Sequence, residues 1–227
     1  MATGHTIKAF DDDLDRLRAL IGEMGGLAER AIGEAMRCLV ERDAEGAARI
    51  VQDDRKIDAL EAETERRAVQ LIALRAPMAG DLREVVAALK ISGVVERIGD
   101  YAKNIAKRVR LLESGSKIEP LSLMPEMARI ATEMVRDVLK AFVERDAEAA
   151  LRVIERDRAV DDFYDSLFRA LLTHMMENPH NIGQAAHLLF VAKNLERVGD
   201  HATNIAEMVY YAATGEQMVD DAKRYGP

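Results

Sequence analysis

Fourteen residues beginning at Glu96, ERIGDYAKNIAKRV, recur one hundred positions later as ERVGDHATNIAEMV, beginning at Glu196. Nine of the fourteen positions are identical, and they include Glu, Arg, Gly, Asp and Asn at fixed spacing. A repeat at this period means that one supersecondary unit is used twice, which constrains the fold more than any single residue does. Packing alone would preserve only the apolar positions, so the shared charges point to a second purpose.

The repeat continues upstream. VERDAEGAARIVQDDRKID (Val40 to Asp58) matches VERDAEAALRVIERDRAVD (Val143 to Asp161) at an offset of 103. The offset falls to 100 between Leu74 and Gly80, around Pro77, opposite the Pro179 stretch of the second copy. Length changes collect in loops, and proline ends helices, so both copies should break there. The expected division is a first unit over 6–113, a linker over 114–120, a second unit over 121–215 and a tail over 216–227.

Each unit reads as all-α. Aromatics make up 4% of the chain and Trp is absent, as suits long amphipathic helices. Helices are predicted over Thr6–Arg42, Ala44–Leu74 and Gly80–Leu112, then over Leu121–Glu144, Ala147–Met176 and Asn181–Ala213. Asp43 and Asp146 precede Ala-Glu in the two copies, as N-caps should. Three helices of about 45 Å joined by short turns must run up, down and up. The expected architecture is two tandem three-helix bundles.

Composition excludes several functions. The net charge of −8 argues against a nucleic-acid groove. Cys38 is the only cysteine and sits in an apolar helical pattern, consistent with a reducing compartment. No signal-peptide core or bilayer-length apolar run is visible, so a soluble cytoplasmic protein is expected. There is no P-loop, nucleophile elbow or dinucleotide fingerprint.

The acids carry the functional signal. Along Ile91, Val94, Val95, Ile98, Ala102, Ile105 and Val109 the third helix has one apolar stripe. Glu96 and Asp100 fall roughly opposite it, with Asn104 extending their row, so they face outward or into a side groove. Two carboxylates at i and i+4 repel by about 0.2–0.5 kcal/mol. A cation between them reverses the sign. The middle helix repeats the pattern with Asp54 and Asp58, continued by Glu61 and Glu65, and its counterpart carries Asp157 and Asp161. With Glu196 and Asp200, each half has two such pairs. If the helices pack side by side, four carboxylates converge, a donor set for hard or borderline cations.

Alternatives stand beside this reading. The acids could be solvated surface or could pair with Arg97 and Arg197, which would contribute little stability. Gly99 and Gly199, each about 1 kcal/mol worse than Ala in mid-helix, either admit a neighbouring backbone or leave room for a ligand. Glu177 and His180 fit an E-x-x-H spacing but lie in a predicted loop with no counterpart in the first copy. His201 replaces Tyr101 and reads as a surface histidine, though it could add a ligand to the second site. Met124, Met127, Met134, Met175 and Met176 read as core filling.

Two three-helix repeats, each with an E-R-(I/V)-G-D-x-A-x-N-I-A segment on its last helix and D-x-x-x-D on its middle one, resemble the PhoU family. The opening HTIKAFDDDLDRL is similar to the start of that family too. The resemblance implies a cytoplasmic negative regulator of the phosphate-starvation response and of phosphate uptake. It implies a link between the ATPase subunit of a phosphate ABC transporter and a sensor histidine kinase, so the chain would meet the membrane only through partners. It also implies metal ions, iron, zinc, magnesium or manganese, on Asp54, Asp58, Glu96 and Asp100 and on Asp157, Asp161, Glu196 and Asp200. Asn104 and Asn204 would be outer contacts. Glu61 and Glu65 are replaced by Tyr164 and Phe168, so the two sites are expected to differ in occupancy. A homodimer is expected. Three functions follow for testing: a non-catalytic adaptor, a metal-carboxylate enzyme, or a helical scaffold with no ligand.

Overall fold

In the computed structural model, residues 2–113 and 118–218 are described, with side chains from residue 9 onward. The chain runs α1 (Ala2–Glu41), α2 (Ala44–Asp53), α3 (Arg55–Arg75) and α4 (Ala79–Leu112), then a 3-10 turn at Glu119–Leu123. It continues through α5 (Met124–Glu144), α6 (Ala147–Glu177), a short 3-10 turn at Pro179–Asn181 and α7 (Ile182–Thr214). Among the described residues there is no strand. Most of the expected linker, 114–117, and the tail beyond 218 lie outside the described residues.

The first turn of each unit is built alike. Glu-Arg-Asp ends one helix and starts the next: Arg42 and Arg145 adopt left-handed backbone (φ 62 and 56). The following Asp then caps the new helix. Asp43 accepts from the Gly46 N–H at 2.7 Å and Asp146 from the Ala149 N–H at 2.9 Å. Both satisfy a helix-terminal donor that would otherwise have no partner. At the second turn, α3 stops at left-handed Ala76 before Pro77, and α6 stops at extended Asn178 before Pro179. Proline disfavours helical backbone in the residue before it.

Two elements differ from expectation. The middle helix of the first unit is not continuous: it breaks at Asp54, whose carbonyl accepts from Ile57 N–H at 2.9 Å as well as from Asp58 N–H at 3.3 Å. That local tightening to 3-10 spacing has no counterpart in α6, which runs unbroken. The α-helix proper of the second unit starts at Met124 rather than Leu121, because Pro125 suits only its first turn.

Within each unit the first and third helices pack together, α1 on α4 and α5 on α7, and the middle helix lies on the third. The units also pack on each other, α4 against α7 and α1 against α5, so the buried residues form one continuous cluster. Tyr101 meets its own repeat equivalent, His201, edge to face at 5.2 Å. Beyond it, Arg108 lies 3.8 Å from the centroid of the Phe190 ring. A contact between equivalent positions marks an approximate two-fold axis, as in an isologous interface. The middle helices, which carry half of the acids, therefore stand on the outside of the two units.

One buried ion cluster ties the units together. Glu84 on α4 is 5% exposed. It accepts from Arg18 Nε at 2.7 Å, and Arg145, at the end of α5, binds its other oxygen. Sequence reading gave no hint of this residue. Its counterpart Gln184 is not acidic, so the repeat did not flag it.

Candidate functional site

The apolar stripe of α4 is buried at Ile91, Val95, Ile98, Ala102, Ile105 and Val109, while Val94 is part-buried against the core. Glu96 and Asp100 consequently emerge at the edge of the groove that α4 makes with α2 and α3, both part-buried. Asp54 reaches into the same groove from the helix break and is 7% exposed, while Asp58 is exposed. The cation in this groove is Lys103. Its ammonium donates to Asp54 Oδ2 at 2.5 Å and to Asp100 Oδ1 at 2.8 Å, joining the middle-helix motif to the third-helix motif. The two bonds, to Asp100 and then Asp54, hold the Lys103 amine well above its ordinary range. Glu96 is pushed up, first by burial and then by Asp100, Asp58, Glu61 and Asp54.

The second set is arranged differently. Thr203 stands where Lys103 stands in the first. Asp157 is pushed from 3.8 to about 6, chiefly by burial, then by the charges of Asp161 and Asp200. The Thr203 hydroxyl opposes part of that rise. Even so, neither Asp157 Oδ1 nor Thr203 Oγ1 has a well-formed hydrogen-bond partner, and buried Glu196 Oε2 also lacks one. Asp161 and Asp200 are raised too, by burial and then by Glu196. Lys193, on α7 itself, holds Glu196 Oε1 at 2.5 Å.

The repeated glycines admit side chains of the middle helix. A Cβ at Gly199 would stand 3.0 Å from Asp157 Oδ1 and 3.4 Å from Val160 Cγ1. At Gly99 it would stand 2.7 Å from Ile57 Cδ1 and 3.5 Å from Asp54 Oδ1. Each glycine lets the middle helix approach and seats that helix's first motif aspartate beside the third helix.

The eight acids thus fall into two clusters of mutually interacting carboxylates, one per unit. Among the described residues, no three His, Cys, Asp or Glu side chains are poised to hold a metal ion as they stand. A cation there requires side-chain rotation, which exposed Asp161 and Asp200 can make. Asp157, Asp161, Glu196 and Asp200 have the oxygen chemistry that a hard cation takes, and Asp157 Oδ1, which itself occupies the room Gly199 leaves, and Glu196 Oε2 lack well-formed hydrogen bonds. In the first set the corresponding oxygens of Asp54 and Asp100 are bonded by Lys103.

Other expectations resolve in detail. Arg97 and Arg197 are exposed; Arg197 lies 6.0 Å from the Tyr101 ring centroid. The cations paired with the motif acids are Lys103 and Lys193. His201 is neither a surface residue nor beside the acids: it packs on Tyr101 between the units, and burial, Arg97 and Arg197 lower its pKa. Met124, Met127 and Met134 are buried, but Met176 is 85% exposed. Asn104 is part-buried and Asn204 exposed. Asn178, within the E-x-x-H spacing, caps a 3-10 turn by accepting from His180 N–H at 3.0 Å.

Little near the acids resembles a substrate site. The cavity that Asp54 helps to line has a volume of about 200 Å³, below the roughly 300–1,000 Å³ of small-molecule sites. Among the described residues, no helix is long and apolar enough to cross a membrane.

Comparison with known proteins adds the family. A model described as the PhoU domain matches residues 21–109 and again residues 124–209. A phosphate-specific transport system accessory protein PhoU homolog from Zymomonas mobilis is 58% identical over 215 residues, covering 95% of this chain and 91% of the relative. A homolog of the same description from Caulobacter vibrioides is 46% identical over 217 residues, covering 95% and 94%. Among solved structures, that of PhoU from Pseudomonas aeruginosa superposes with a TM-score of 0.87 at 34% identity, covering 91% of this chain and all (100%) of that one.

Proposed function

The chain belongs to the PhoU family, and from that premise we propose that it is the accessory regulator of a phosphate-specific ABC transporter. In this reading it is a non-catalytic cytoplasmic adaptor. It contacts the transporter's ATPase subunit and a sensor histidine kinase, and it restrains uptake and the starvation response when phosphate is plentiful. The observation that carries it is the near full-length match to relatives described as transport accessory proteins, over both repeats and with no long unmatched segment. The long helical faces, ion-paired and without a substrate-sized cavity at the acids, suit protein contacts better than turnover.

The acidic sets add a metal component. In the second repeat Asp157, Asp161, Glu196 and Asp200 would hold a divalent cation or iron. The metal would supply positive charge between α6 and α7. The chain's own contribution is to hold those oxygens close, with Gly199 admitting Asp157 and the α7 stripe fixing Glu196 and Asp200.

The test is recovery of partners. Tagged protein cross-linked in cells grown in high phosphate should bring down the transporter ATPase, the kinase or both, identified by mass spectrometry. Recovery of neither, with the tagged chain folded and abundant, would remove the adaptor role.

A further inference from the structure

Resting on that metal-binding reading, we infer that Lys103 is the resident cation of the first acidic set, so that the chain takes its divalent metal in the second repeat alone. The Lys103 ammonium bonds one carboxylate from the middle helix and one from the third, Asp54 at 2.5 Å and Asp100 at 2.8 Å. A metal bridging the same two motifs would have to displace it. Displacement breaks both ammonium–carboxylate bonds and leaves a positive charge, on a side chain 27% exposed, near a divalent ion.

The second repeat has no such bridge. Thr203 is neutral and reaches only Asp157, without a well-formed bond, so it joins no second carboxylate, and Glu196 Oε2 has no partner. Lys193 does not fill the role. It rises from the same helix as Glu196, is 42% exposed, and lies over the Tyr164 ring at 5.3 Å from the centroid. Each set has four motif carboxylates and one lysine, and the lysines differ in where they stand: Lys103 joins the two helices, whereas Lys193 bonds an acid of its own helix. Glu61 beside the first set, and Asp162 and Asp165 beside Asp161 in the second, add acids to both. The backbone shows the same asymmetry: the middle helix breaks at Asp54, where Lys103 binds, and runs unbroken past Asp157.

Exchanging the two residues tests this. Purified full-length chain is dialysed against Mn²⁺ alone and the metal per folded chain is counted, with circular dichroism as the check on helicity. Wild type should bind about one Mn²⁺, Lys103→Thr about two, and Thr203→Lys about none. Metal-free Lys103→Thr should also melt below wild type and recover on adding Mn²⁺. Metal-free Thr203→Lys should melt above wild type and respond no further. Equal stoichiometry in wild type and Lys103→Thr, or two Mn²⁺ in wild type, would overturn the inference. If Lys103→Thr does not fold, Thr203→Lys decides alone: binding undiminished from wild type contradicts the inference, and binding lost supports it. If no variant binds Mn²⁺, both the inference and the metal reading fall, while the adaptor role is judged separately by partner recovery.

Discussion

Mn²⁺ at about a hundredfold excess over its dissociation constant is expected to stabilise the wild-type chain by about 2.7 kcal/mol at neutral pH. For a chain of this size that is a rise in Tm of about 5–10 °C. The combined variant Asp157→Asn, Glu196→Gln and Asp200→Asn should show almost none of it. The acid range provides the sign. Asp157 titrates near 6 in the folded chain against 3.8 when unperturbed, so the folded state binds its proton more tightly than the unfolded state does. Its contribution to metal-free stability is therefore full below 3.8 and is lost as pH rises through about 6. A metal ion competes with that proton. The Mn²⁺-dependent rise should then shrink as pH falls through about 6, and metal-free Asp157→Asn should lose the corresponding part of the pH dependence. Melts followed by circular dichroism with and without Mn²⁺ provide both readings. A metal response unchanged in the triple variant would place the ion elsewhere.

Glu84→Ala is expected to cost about 3 kcal/mol and to lower Tm by about 6–12 °C. The carboxylate is 5% exposed and is bound by arginines from α1 and from the end of α5. Removing it leaves Arg18, only 18% exposed, without its buried partner, although Asp15 at 2.6 Å still accepts from it. Breaking one side of a buried pair typically costs about 3–5 kcal/mol, and the Asp15 contact puts this case at the low end. Arg145 is half exposed and can turn to water, so Arg145→Ala should cost much less. A drop below about 2 °C for Glu84→Ala would mean that the cluster is hydrated and ties the units together only weakly.

Much of the fold was legible because the repeat and the helical period are local signals. The stripe from Ile91 to Val109, the Asp43 and Asp146 caps and the proline breaks all follow from residues within one or two turns of each other. The break at Asp54 was not legible, since no glycine or proline marks it. It coincides with a bond to a lysine 49 positions away. The acids could be placed off the stripe from their angle, but their neighbours could not. Arg97 and Arg197 stand as alternative partners because they adjoin Glu96 and Glu196 in sequence. One residue on is about 100° round the helix, so neither forms an ion pair with the adjoining acid, although the charge of Arg197 still acts on Asp200. Lys103, three residues past Asp100, lies on the correct face, and its replacement by Thr203 was visible in the aligned repeats. His201 was misread for a related reason: it lies where the two units meet, and single-helix periodicity says nothing about a surface shared between repeats. Met176 fits a helical apolar pattern but lies in the last turn of α6, just before the Asn178–Pro179 turn, and is exposed there.

The most direct measurement is phosphate uptake at high external phosphate in cells from which the gene has been deleted, with wild type restored on a plasmid as the comparison. Deletion should leave uptake running when phosphate is plentiful, and wild type should restore restraint. Uptake equally restrained with and without the chain would contradict a regulatory role in phosphate transport.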